Sequence, residues 1–218
     1  MSFLNTTATV THTTRFPRGR TRAQAIAMLS DHQFFLSCDP HMTKSELIPQ
    51  AEHATLTPPP AVPDYVKTEL RARPQPQSGS EPSQDGEAGG EAAAETVPEC
   101  YRVTDIVHAI PAGIWDTNVV SIFELTDIED GLFVRIRSPL SIVMETFWRV
   151  REVAGAEEGE GGGDDDDDGE AGPGLELVED VTIRCSRLLV GIVKGQCETD
   201  WEGIHGKMVA RLDGEGGK

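Results

Sequence analysis

The chain has 218 residues, 37 of them acidic and 19 basic, for a formal charge of −18. That balance, without any basic stripe, argues against nucleic-acid binding. Four cysteines with no C-x-x-C pair argue against a disulfide framework or a structural zinc site. No apolar run approaches the roughly 18 residues of a membrane helix, and the opening MSFLNTTATVTHTTRF lacks the basic and then apolar blocks of a signal peptide. The expectation is therefore a soluble cytoplasmic monomer with no transmembrane segment and no cofactor.

Residues 7–16, TATVTHTTRF, are dense in β-branched side chains and end at Pro17, which predicts a first strand closed by a turn. Thr21 followed by Gln24 is a capping-box pattern, and Ala25, Ile26 and Leu29 supply an apolar helical face behind it. A second short helix is expected over 32–39 and a strand over 47–56. Residues 57–97 are rich in Pro, Gly, Ser and Glu, and we read them as an insert without fixed structure.

From Cys100 the pattern is β. CYRVTDIVHAI, WDTNVVSIFELTDI, GLFVRIRSPL and SIVMETFWRVREV are punctuated by Pro-Ala-Gly, Glu-Asp-Gly and Ser-Pro, which predicts an antiparallel meander. The stretch 155–174, GAEEGEGGGDDDDDGEAGPG, separates it from a further strand, LELVEDVTIRCS. That stretch carries nine carboxylates and no base, and residues 74–97 carry five and no base, so the rest of the chain stands near −4. The charge thus belongs to two segments too poor in apolar residues to pack, and both are expected to be disordered. An unbroken aspartate run also lacks the alternating spacing of a calcium loop. The closing residues place Leu188, Leu189, Ile192, Val193, Cys197, Trp201, Ile204, His205, Met208 and Leu212 on one helical stripe. Four glycines, Gly191, Gly195, Gly203 and Gly206, each cost about 1 kcal/mol relative to alanine in a helix interior. The helix should form only where it is clamped, and the glycines suggest close approach to what lies beneath.

A strand, two short helices, a meander and a long terminal helix resemble the helix-grip fold of the START-like superfamily, which includes lipid-transfer domains and polyketide cyclases. More closely, HTTRFPRGRTRAQAIAML, FFLSCDPHM, CYRVTDIVHAIPAGIWDTNVVSIFELTDIEDGLFVRIRSPL and SRLLVGIVKGQCETDWEGIHGKMVARL resemble uncharacterised filamentous-fungal members of that superfamily. The resemblance covers most of the chain outside the inserts. It implies an α+β fold, with a curved antiparallel sheet of six to seven strands wrapped round the last helix and a cavity between them. It carries no catalytic motif.

Apolar residues fall on both strand parities in places, as in NVVSIF, so the sheet has more apolar surface than one helical layer needs. Tyr101, Trp115, Phe123, Met144, Trp148, Trp201, Ile204 and Met208 are the candidate walls of an apolar ligand pocket. Ordinary core packing explains any one of them; the group suggests a pocket. Asp105, His108 and Tyr101 are the candidates for proton transfer, since burial within strands perturbs proton affinity. Glu145 is a further titratable group on a strand. Arg135 with Arg137, and Arg149 with Arg151, share strand faces and have the chemistry to hold a carboxylate or phosphate, although alternating charge is also what a solvated strand face presents. The histidines show no metal-ligand spacing, and GIHGKM, residues 203–208, fails as a phosphate loop on spacing and on its missing Ser or Thr.

Three readings follow. The first is a non-catalytic carrier or sensor of one hydrophobic molecule, lipid or polyketide-like, held between sheet and helix. The alternatives are a cyclase- or aromatase-type enzyme using Asp105, His108 or Tyr101, and an interaction module whose acidic loops recruit basic partners.

Overall fold

The computed structural model describes residues 5–71, 97–108, 116–153 and 174–215, leaving out the side chains of 107, 108, 116, 117 and 215. Seven strands form one curved antiparallel sheet: β1 (Asn5–Arg15), β2 (Met42–Ile48), β3 (Glu99–His108), β4 (Asp116–Ile128), β5 (Gly131–Ser138), β6 (Ile142–Val153) and β7 (Gly174–Ser186), in the order β1-β7-β6-β5-β4-β3-β2. Strands β2 to β7 are a meander, and β1 closes it by pairing with β7 along its whole length. Helices α1 (Arg22–Ser30), α2 (His32–Ser37) and α4 (Val190–Glu215) cover the concave face, and a short α3 (Asp64–Lys67) lies on the convex one. This is the α+β arrangement the sequence pattern and the resemblance imply.

Local chemistry fixes the helix starts. The Thr21 side chain accepts from the Gln24 backbone N–H while the Gln24 side chain accepts from the Thr21 backbone N–H, a complete capping box. Asp31 ends α1 and caps α2, its carboxylate accepting from the Phe34 N–H at 3.1 Å. Together the two helices bury Ala25, Met28, Leu29, Phe35 and Leu36 against the sheet.

Three expectations are corrected. The second strand is Met42–Ile48, not 47–56, because Pro49 has no N–H to extend the ladder; residues 50–55 coil into a 3-10 turn. The insert from 57 is ordered as far as Arg71. Prolines at 58, 59, 60 and 63 preset an extended backbone, and Val62 and Val66 anchor it on Ile128 and Phe133, with Tyr65 edge-on to Phe133 at 6.2 Å. Two anchors in a polar, Pro-rich stretch are invisible to composition. The remainder of that insert and the Asp-rich stretch lie outside the described residues, apart from Val97 and Gly174, which adjoin β3 and begin β7.

The strap also closes the convex face chemically. Glu124, 2% exposed, pairs with Arg137 and with Arg135 at 3.6 Å, and Glu145 pairs with Arg135 at 3.1 Å and with Arg184. Arg135 donates to the Ala61 carbonyl at 3.1 Å and Arg137 to that of Pro58. Arg149 stacks over Phe147 and reaches Glu69 at 2.7 Å, while Arg151 reaches Asp180 at 3.7 Å. Arg135 and Arg137 form neither an open anion site nor a solvated face, since they tie residues 57–71 to the sheet, whereas Arg151 is half-exposed and lies on a partly solvated stretch of the same face.

The third correction concerns α4. A methyl group added at Gly191, Gly195, Gly203 or Gly206 would meet nothing within 4 Å, so these glycines permit no close approach and weaken the helix without a packing gain. Gly203→Ala and Gly206→Ala are each expected to stabilise the protein by about 0.5–1 kcal/mol, raising Tm by about 1–4 °C in thermal unfolding. A lower Tm in either variant would show that the glycine is required where it stands.

Candidate functional site between the sheet and the terminal helix

Directly paired residues of an antiparallel sheet point to the same face, so the register defines rows across the concave surface. One row runs Ile183, Met144, Ile136, Phe123, Tyr101 from β7 to β3. Another, two steps further along β6, runs His12, Glu179, Trp148, Leu132. Three residues singled out from the sequence, Tyr101, Phe123 and Met144, therefore stand side by side. Trp201, Ile204 and Met208 lie on the inward stripe of α4, and Trp201 faces β1. Trp115 lies outside the described residues, as does the side chain of His108, whose backbone ends β3 opposite Asp116.

The row of His12 is the seam that holds α4. The His12 ring stacks on Trp201 with centroids 4.8 Å apart and planes 6° from parallel. His12 Nδ1 lies 2.9 Å from Glu179 Oε2 and donates to it, since a carboxylate only accepts. His205 Nε2 lies 3.5 Å from the same oxygen without hydrogen-bonding it, and its Nδ1 lies 2.7 Å from Thr14 Oγ1. Trp148 and Trp201 each stand 5.3 Å from the His205 ring. A hydroxyl, an imidazole and a carboxylate in series have the composition of a nucleophile relay. Here His205 is 1% exposed and enclosed by two indoles, so the relay acts as a clamp joining β1, β6, β7 and α4.

Past the clamp, towards its N-terminus, α4 stays on the sheet: Leu189, Val190, Val193 and Cys197 pack on Val181, Ile183 and Cys185 together with Met144. Its second half is fixed to α1 and α2: Lys207 Nζ donates to the carbonyls of Ser37 and Cys38 at 3.2 and 3.1 Å, and Arg211 reaches Asp31 at 3.4 Å. The last such tie is His41 Nε2 to Asp200 Oδ2 at 3.0 Å. Beyond Asp200 the inward residues Cys197 and Val193 are half-buried, as are Ile204 on the next turn and Ile136 and Met144 on the sheet below. Phe123, Tyr101, Trp148 and Met208 are buried and form the inner end, already filled by side chains. The result is a half-buried apolar seam between the cluster on Val181, Ile183 and Cys185 and the main core, the mouth of the sheet-helix space, and Met144, Ile204 and Trp201 of the sequence-derived set lie along it.

Polar groups edge this mouth. Ser121 Oγ, on the concave face of β4, lies 2.8 Å from Ser138 Oγ. Asp105, paired with Val119 on the same face, has an Oδ1 out of contact with water and without a hydrogen-bond partner. Burial, reinforced by Asp39 and opposed by His41, pushes its carboxyl up from 3.8 to about 6. Tyr101 is different: burial and a hydrogen bond donated to Glu99 push its hydroxyl up, so it stays protonated. Cys197 is likewise pushed up, to about 12, chiefly by burial, and is inert as a nucleophile. Among the described residues no three His, Cys, Asp or Glu side chains converge with metal-binding geometry. An open cleft of about 910 Å³ lies on the far side of α1, lined by Arg22, Ala23, Ile26, Ala27, Ser30, Asp31, Arg71 and Glu129. Its Arg71 is already engaged, donating to Ser30 Oγ at 2.6 Å and to the carbonyls of Ile128 and Gly131 at 3.0 Å.

His12, Glu179 and Thr14 are the seam residues that sequence reasoning did not single out. The signal is a polar residue on an apolar parity: His12 follows Val10, and Glu179 sits between Leu177 and Val181, all facing inward.

Residues 5–214 match the family model of the domain of unknown function DUF7053, and the chain belongs to that family. No curated protein matches it.

Because the Asp105 carboxyl is raised, the folded state takes up a proton that the unfolded chain does not hold, and stability falls as pH rises from about 4 to about 6. Asp105→Asn removes that fall. In urea denaturation the variant is expected to exceed the parent by about 1 kcal/mol near pH 7.5, after allowance for solvent screening, and to match it near pH 3.5. A gain of equal size at both pH values would show that the carboxyl is not buried as described.

Proposed function

We propose that the chain is a non-catalytic carrier or sensor that binds one hydrophobic small molecule, lipid or polyketide-like, in the mouth between α4 and the concave sheet. The observation that carries the reading is the seam between two apolar clusters under α4. Met144, Val193 and Cys197 pack on Val181, Ile183 and Cys185, and Ile136 and Ile204 on the main core, yet all five stay only half-buried, a partly covered apolar surface of the kind that a ligand can complete. A mostly apolar recess with a few polar groups at its edge, here Asp105 and the Ser121–Ser138 pair, is the usual form of a small-molecule site. The deep row of Phe123, Trp148 and Met208 acts as a floor, and a ligand extends the core outward from it.

The seven-stranded antiparallel sheet with its long terminal helix is consistent with a helix-grip architecture. It supports placing this DUF7053 chain, of proposed fungal origin, in the START-like superfamily, and we read it as a cytoplasmic monomer. Among the described residues no helix is long and apolar enough to cross a membrane. A second reading, a cyclase-type enzyme, draws on Asp105: a carboxyl raised to about 6 with an unpartnered oxygen suits a proton acceptor near neutrality. The two separate cleanly, since an enzyme with Asp105→Asn would bind a polyketide substrate and fail to convert it.

The carrier reading is tested by fluorescence titration with dansyl-undecanoic acid. The parent should bind saturably, Met144→Trp should fill the mouth and weaken binding by about tenfold or more, and Met208→Leu, at the filled end, should leave the affinity unchanged. Absence of saturable binding, or equal affinity in Met144→Trp, would overturn it.

A further inference from the structure

We infer that the end of the sheet bearing Leu140, Leu188 and Ile192 is a docking surface for an anionic lipid bilayer. The three side chains are 73%, 89% and 57% exposed, an expensive way to present large aliphatic groups in water. They share one end of the molecule. Leu140 is in the β5–β6 turn, whose flanking Val143 pairs with Arg184 near the end of β7, and Leu188 follows β7 by two residues. Ile192 is four residues on, in the first turn of α4, where residues four apart lie on one face. The turn is itself shaped for display. Leu140 and Ser141 hold left-handed backbone, φ 61° and 58°, which costs non-glycine residues about 1 kcal/mol or more, and the conformation leaves Leu140 projecting into solvent.

Charge selects the occupant. From Thr182 to Cys197 the chain carries Arg184, Arg187 and Lys194 and no carboxylate, in a protein with 37 acidic residues. Arg187 is exposed and makes no ion pair among the described residues; Arg184 pairs with Glu145, and Lys194 with Glu198 at 3.2 Å. Val153 and Gly174, the described residues nearest the Asp-rich stretch on either side, pair at the opposite end of β6 and β7. Three aliphatic side chains beside the guanidinium of Arg187, unpaired among the described residues, suit shallow insertion among anionic headgroups. They are too few for a stable contact with a second copy, which needs about 800 Å² and about 20 residues per partner. The inference does not depend on a ligand in the mouth, since docking uses side chains on the outer surface.

The test is flotation of the full chain with vesicles of phosphatidylcholine alone and of phosphatidylcholine with phosphatidylserine. The parent should float with the anionic vesicles and weakly or not at all with the neutral ones. The triple variant L140S/L188S/I192S should lose at least about tenfold in partitioning, and Arg187→Glu should weaken binding to anionic vesicles in a salt-dependent way. All four residues are exposed, so the variants should keep the parent Tm, which serves as the control. Failure of the parent to float overturns the inference. So does undiminished flotation of the triple variant, which would assign binding to another surface. Self-association of the parent by light scattering, abolished in the triple variant and unaccompanied by vesicle binding, would make the patch a contact between copies instead.

Discussion

The architecture turns on one buried carboxylate. Glu179 sits on the concave face of β7 with imidazoles on either side, His12 from β1 at 2.9 Å and His205 from α4 at 3.5 Å, and Trp201 stacks on the His12 ring. Burying a charged carboxylate is costly unless it is hydrogen-bonded; His12 supplies that bond from β1, and α4 is fixed over the same place by the hydrogen bond of His205 with Thr14 and the stack of Trp201 on His12. The helix needs such a constraint. Its four interior glycines contribute no contacts beneath them, and its own propensity would not hold it. The clamp, with the ties of Lys207 and Arg211 to the first two helices, secures the second half of α4, while the first half rests on Val181, Ile183 and Cys185 through apolar contacts alone. The mouth lies where the polar fastening stops.

The convex face has the opposite character. Glu124 and Glu145 are shared among Arg135, Arg137 and Arg184, and the strap over 57–71 lies across them, anchored by Val62 and Val66. A buried ionic ladder contributes little net stability by itself, but each of its charges requires its partner, which locks the strap in one position. With the back of the sheet closed in this way, the half-buried apolar surface left on the sheet faces α4, and the exposed aliphatic residues at the end of β7 lie beside the first turn of that helix.

Much of this was legible in the sequence where signals are local. The capping box of Thr21 and Gln24, the β-branched runs of β1 and β3 to β7, and the part of the helical stripe from Val193 to Leu212 each rest on neighbours within a turn or along a strand, and each appears as read; Leu188 and Ile192, placed on the same stripe from the sequence, are instead exposed. The misreadings arose where a distant contact overrides composition. Prolines and small polar residues after 57 look unstructured until Ile128 and Phe133 supply a surface for Val62 and Val66. The helix glycines looked like close-packing sites, yet open space surrounds them. The clamp pairs residues 167 and 191 positions apart, and no local pattern links His12 to Glu179 or Thr14 to His205. What the sequence did offer was His12 and Glu179 on inward parities, and His205 already on the apolar stripe.

The account's central claim is that the outer part of the sheet-helix space is open to an apolar ligand while the inner part is filled. Methyl NMR of the chain labelled at the methionine ε-carbons reads both places at once, because Met144 is half-buried in the mouth and Met208 is 1% exposed beneath α4. Titration with a medium-chain fatty alcohol should shift the Met144 resonance saturably and leave Met208 nearly still. Resonances that both stay fixed at saturating alcohol, or a larger shift at Met208 than at Met144, would contradict the account.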